Sequence, residues 1–132
     1  MYSAKQICEI LDIPYETLKF YCKEGLVPNV HRDKNNRRVF DERSLGWLKG
    51  LMCLRKCDMS LKDMKIYMEL CMQGMESIPE RKAMLSETRA ELEKKMQTIK
   101  EAMDYIDYKQ NLYDDMLSGK FEYMSNLIET KK

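Results

Sequence analysis

A mainly α-helical chain, with one small β-hairpin near its N-terminus and one very long helix toward its C-terminus, is what this sequence predicts. Three observations lead there. Residues 3–24 carry two short runs of helical apolar spacing, separated by Asp12-Ile13-Pro14. Residues 29–40 place turn formers beside a short strand-like run and hold Arg32, Lys34, Arg37 and Arg38. From Ile78 to Tyr113 an apolar residue recurs every seventh position.

Ser3 and Gln6 have the spacing of a capping box. Ala4, Ile7, Cys8 and Leu11 follow at i, i+3, i+4 and i+7, one apolar helical stripe. Asp12 tolerates left-handed backbone, Ile13 is pushed extended by the proline behind it, and Pro14 suits the first turn of a second helix. That helix runs to about Glu24, with Leu18 and Cys22 inward and Tyr15, Glu16, Thr17, Lys19, Phe20 and Lys23 outward. Gly25 supplies a C-terminal cap, Leu26 packs back, and Pro28 prevents continuation. Two helices across a three-residue break make a helix-turn-helix. Asp33 to Asn36 is turn chemistry and Arg37 to Phe40 a strand, so a basic hairpin stands beside the helices in the manner of a phosphate-gripping wing.

Asp41 caps a third helix through about Lys56, which Leu45, Leu48, Leu51, Met52 and Leu54 make apolar on several sides. Ser60 and Asp63 open a fourth, with the stripe Leu61, Met64, Met68, Cys71 and Met75. Gly74 to Ser77 is a break, and Pro79 occupies the first turn of a fifth helix reaching Leu117, where Gly119 ends it. Ile78, Leu85, Leu92, Ile99, Ile106 and Tyr113 form the seven-residue series. The positions four later are mixed: Lys82, Arg89, Met96, Met103, Gln110 and Leu117. One apolar seam with charged flanks indicates a coiled coil. A helix about 60 Å long cannot hide that seam inside so small a domain. A second copy of the chain is the economical partner, with Leu85, Leu92, Met96, Ile99, Met103, Ile106 and Tyr113 at the contact.

The chain therefore divides into a winged helix-turn-helix domain at 1–73 (helix-turn-helix 3–25, wing 29–40, helices 41–57 and 60–73), a linker at 74–78, a coiled-coil helix at 79–118, and a tail or short helix at 119–132. In that last segment Phe121, Tyr123, Met124, Leu127 and Ile128 are candidates for docking.

Composition bounds the function. With 34% charged residues, five Gly and three Pro among 132 residues, this is a helix-rich globular composition. Net charge is +1, unevenly spread: residues 1–57 hold 11 Lys/Arg against 7 Asp/Glu, and residues 58–132 hold 12 against 15. A basic front half suits a polyanion at one end only. No run approaches the roughly 20 apolar residues of a membrane span. The N-terminus is an amphipathic helix entry rather than a leader, which places the protein in the cytoplasm. Five cysteines without a Cys-x-x-Cys pair fit reduced thiols better than a disulfide framework. One histidine, no Gly-rich phosphate loop and no Glu-x-x-His pair argue against an enzyme. Cys53 and Cys57 lie one helical turn apart without further ligands, so no metal or cofactor is expected. The twelve methionines read as flexible core packing rather than copper ligands.

Laid end to end, these elements resemble the MerR family of transcription regulators. The residues that carry the resemblance are Thr17-Leu18-Lys19-Phe20-Tyr21, Gly25-Leu26-Val27-Pro28, Arg38 with Phe40, and Met59-Ser60-Leu61-Lys62-Asp63-Met64. Lys19 stands where the family has arginine, which keeps phosphate attraction and loses the bidentate fork. Phe20 stands in place of a tyrosine, and Asn36-Arg37 in place of glycine-tyrosine. The resemblance implies an antiparallel dimer coil, RNA polymerase as a partner, and a bound dimer that bends and underwinds a palindromic promoter. It places Thr17, Lys19, Tyr21, Arg37 and Arg38 on DNA, with Tyr15 and Arg32 as second choices. Met52-Cys53-Leu54-Arg55-Lys56 and Ala102 to Lys109 further resemble the single-cysteine members that respond to reactive aldehydes or nitrosative stress, which implies Cys53 as the sensing thiol; the other reading of Cys53 is an inert core thiol on a helix apolar nearly all round. The rival reading is a coiled-coil adaptor whose helix-turn-helix binds protein.

Overall fold

The computed structural model describes residues 1–129. Ser3 opens α1 (Ala4–Leu11) through the reciprocal cap its spacing predicts: Gln6 N donates to Ser3 Oγ at 3.1 Å and Ser3 N to Gln6 Oε1 at 2.8 Å. Asp12 ends α1 in left-handed backbone at φ 52°. Pro14 is itself the N-terminal cap of α2 (Tyr15–Lys23), in extended backbone, one position before the first turn expected for it. Two bonds close α2, Leu26 N to Tyr21 O at 3.0 Å and Gly25 N to Cys22 O at 3.2 Å. That pattern requires the left-handed φ of +75° at Gly25, which a glycine adopts without steric cost. Leu26 is thereby delivered into the core, fully buried.

The hairpin forms as expected, β2 (His31–Arg32) antiparallel to β3 (Arg38–Phe40) with Arg32 opposite Arg38. A third strand, β1 (Tyr2–Ser3), lies on the other side of β3 with Tyr2 opposite Phe40. Two residues are too few for alternation to register in a sequence.

Ser44 N donates to Asp41 Oδ1 at 2.8 Å at the start of α3 (Glu42–Lys56). Leu45, Leu48 and Leu51 of α3 meet Ile7, Leu18, Tyr21, Leu26, Val27 and Phe40 in one core, joined by Met59 and Met64. Trp47 Nε1 donates to Leu26 O at 2.7 Å and ties α3 to the end of the helix-turn-helix.

Ser60 caps α4 (Leu61–Met72), accepting from Asp63 N at 3.1 Å. Of its expected stripe, Met64 is buried, Leu61, Met68 and Cys71 are half-buried, and Met75 is 84% exposed. Met75 leaves the stripe because Gly74, at φ +80°, turns the chain into a 3₁₀ turn (Gly74–Ser77).

α5 (Ile78–Leu117) is 40 residues long and buries none of them fully. Two compact units divide the chain, Met1–Arg89 and Ala90 onward. Residues 119–129 form no helix, and 130–132 of the segment expected as a tail or short helix lie outside the described residues. No helix of the described residues is long and apolar enough to cross a membrane.

Candidate nucleic-acid interface

The wing tip is built on one carboxylate. Asp33 Oδ1 accepts from Asn35 N and Arg37 N, both at 2.9 Å, while Asp33 N donates to Arg37 O at 2.9 Å. Asn36 takes the left-handed φ of 60° that closes the turn, and Arg32 Nη1 donates to Asn36 O at 2.9 Å. With its carboxylate committed to backbone amides, the only acidic residue of the tip leaves a basic surface around it.

That surface continues into the first two helices. An open groove is lined by Ser3, Lys5, Tyr15, Arg32, Arg37 and Arg38, together with Asp33 and Asn36. Lys5 and Ser3 enter it because β1 pairs with β3 and seats the start of α1 beside the wing. Both were missing from the expected contacts, since a lone lysine at a helix start carries no signal until that strand is known. Four cations and few acids in one concave face attract a polyanion, and side chains of this kind position a phosphate backbone.

Tyr15 is exposed on α2, and Lys19 lies one helical turn further along the same side. Thr17 and Lys19 are half-buried and do not line the groove. Tyr21, which the resemblance places on DNA, differs from Tyr15 in its burial. It is 6% exposed within the core, its ring edge-on to Phe20 at 5.6 Å between centroids. Three residues beyond Leu18, it falls on the buried face of α2, so its chief role is packing. Cys22, expected inward, is half-buried; burial pushes its thiol up, while the Arg38 and Arg32 guanidiniums pull the other way.

Cys53 is exposed near the end of α3, and Cys57 is half-buried one turn on. Among the described residues no group of three or more His, Cys, Asp or Glu side chains is placed to hold a metal ion. Along α5, Met96, Ile99, Met103, Ile106 and Tyr113 are each at least half exposed; Leu85 is exposed and Leu92 partly buried.

A paired helix-turn-helix, a basic wing and this groove coincide with residues 2–71, which match the MerR HTH family of regulatory proteins. The chain belongs to the MerR family. An HTH-type transcriptional regulator of Haemophilus influenzae is 36% identical over 112 residues, covering 85% of this chain and 83% of that one. The structure of HiNmlR, a MerR family regulator lacking the sensor domain and bound to promoter DNA, is similar with a TM-score of 0.76 and 34% identity over 89% of each chain. A MerR family regulator from Listeria monocytogenes is similar with a TM-score of 0.79 and 26% identity over 91% of each. This MerR protein is a DNA-binding transcriptional regulator, from a family of regulators and not of enzymes.

Proposed function

We propose that the protein regulates transcription in the cytoplasm as a homodimer on a palindromic promoter, with α5 of two copies paired antiparallel. In this reading α2 enters successive major grooves and the wings grip flanking phosphates. The dimer bends and underwinds the spacer so that RNA polymerase engages both promoter elements, which uses DNA deformability as well as base contacts. The carrying observation is the groove that gathers Lys5, Arg32, Arg37 and Arg38 beside the exposed Tyr15. The uncovered seam of α5 supports pairing, because an apolar stripe of that length left in water is costly.

The signal we propose is an electrophile or other thiol stress read by Cys53, as in the single-cysteine members. Its exposure supports access, and Arg55 and Lys56 follow it in the last turn of α3.

A salt-titrated gel shift on the protein's own upstream DNA, with sedimentation of the free protein, tests the proposal. Tight, salt-steep binding by a dimer is expected. A monomer at micromolar concentration, or binding to a protein partner without DNA, overturns it.

A further inference from the structure

The junction between α4 and α5 is closed by side chains. Ser77 is 1% exposed, and its hydroxyl hydrogen is directed to the carbonyls of Leu70 and of Gly74, the latter at 3.0 Å. Arg81, in the first turn of α5, donates from Nε to Ser77 Oγ at 2.9 Å and from Nη2 to the Gly74 carbonyl. The carbonyls at the end of a helix have no partner within it and carry its negative pole. Here the buried Ser77 hydroxyl adds a second donor to the Leu70 carbonyl, which also accepts from Gln73 N at 3.1 Å, and the Arg81 guanidinium reaches the Gly74 carbonyl in the turn that follows α4. With two donors in a fixed fork the guanidinium holds the first turn of α5 to the 74–77 turn, and the Ser77 hydroxyl carries that hold to Leu70 near the end of α4.

In its first half α4 is tied to the end of α2. Lys65 Nζ meets Glu24 Oε2 at 2.9 Å, and Glu24 is the residue that ends α2. Polar contacts thus run from α2 through α4 to the start of α5.

We propose that Ser77 and Arg81 form a clasp that sets which half-site separation the protein accepts on DNA. The proposal rests on the paired-molecule reading above. A tilt of about 5° at the start of a helix about 60 Å long moves its far end by about 5 Å, more than the ~3.4 Å of one base-pair step. A loose junction therefore blurs the register of two reading heads, and a clasped one holds it. Ser77 and Arg81 act as positioning residues, away from the groove.

The test uses the full chain and a duplex that the wild type selects from a random library. That duplex is rebuilt with its half-sites one base pair closer or further apart, and also as a single half-site. The wild type is expected to lose affinity at either altered separation. Arg81→Met and Ser77→Ala are expected to keep the half-site affinity and the sedimentation mass, while their preference among separations shrinks by about three- to tenfold. Arg81→Lys, which keeps the charge without the fork, is expected to behave as Arg81→Met does.

An unchanged separation profile in both variants, at normal half-site affinity, overturns the clasp. So does loss of half-site affinity in step with a lowered thermal midpoint, since the pair is then fold support alone. A wild type that sediments as a monomer or selects only single half-sites refutes the paired reading instead, and the clasp with it.

Discussion

Arg32 Nη1 donates to the carbonyl of Asn36 across the wing, so one of the four cations of the hairpin holds the tip closed while Arg37 and Arg38 face the groove. The basic residues of the wing are therefore not equivalent. Arg37→Ala and Arg38→Ala should each weaken binding to all sequences alike and lower the salt slope by about one unit, read by gel shifts across a salt series. An unaltered slope would count against phosphate contact. Arg32→Met should also loosen the tip, visible as faster amide exchange at Asn36 and Arg37.

Trp47 is the only tryptophan, and its indole N–H is spent on the Leu26 carbonyl. Trp47→Phe keeps an aromatic ring and removes the donor. Urea unfolding followed by circular dichroism should show a loss of roughly 1–2 kcal/mol. A neutral result would mean that water satisfies that carbonyl.

Hydrogen bonding from Ser44 at the start of α3, aided by Arg43 and His31, holds the Asp41 carboxyl below the ordinary carboxylate range. His31 Nε2 lies 3.7 Å from Asp41 Oδ2. A depressed folded-state pKa contributes stability that is present above the unfolded value and lost as pH falls through the folded one. Asp41→Asn keeps a capping oxygen and cannot titrate, so thermal midpoints measured downward from neutrality should fall less steeply with acid than in the wild type.

Ile99 lies mid-seam on α5 and is 60% exposed in the single chain. If two copies bury it, Ile99→Asp removes about 3 kcal/mol per dimer, roughly a hundredfold in dissociation constant. Analytical ultracentrifugation should find monomer where the wild type is dimeric. Helix content at matched association state should hold.

Cys53→Ser should leave DNA affinity unchanged and abolish the transcriptional response to an added aldehyde or electrophile. A variant that responds as the wild type does removes Cys53 from sensing. Alkylation mapped by mass spectrometry should label Cys53 ahead of the half-buried Cys8, whose thiol burial pushes up.

Local chemistry alone determined most of the elements. Ser3 with Gln6, Asp41 with Ser44 and Ser60 with Asp63 cap their helices through contacts three residues apart, and Gly25 ends α2 through bonds within a few residues. Interactions of that range are written in spacing, which is why the hairpin and α5 were legible as well. Tertiary structure decided the rest. How deeply Tyr21 is buried depended on what α2 packs against, and it packs in the core. Lys5 reached the groove only because Tyr2 and Ser3 pair with β3, a contact across almost forty residues that leaves no local pattern. Capping and periodicity act within a few residues, whereas strand pairing and the burial of one helix face are settled only when distant segments meet.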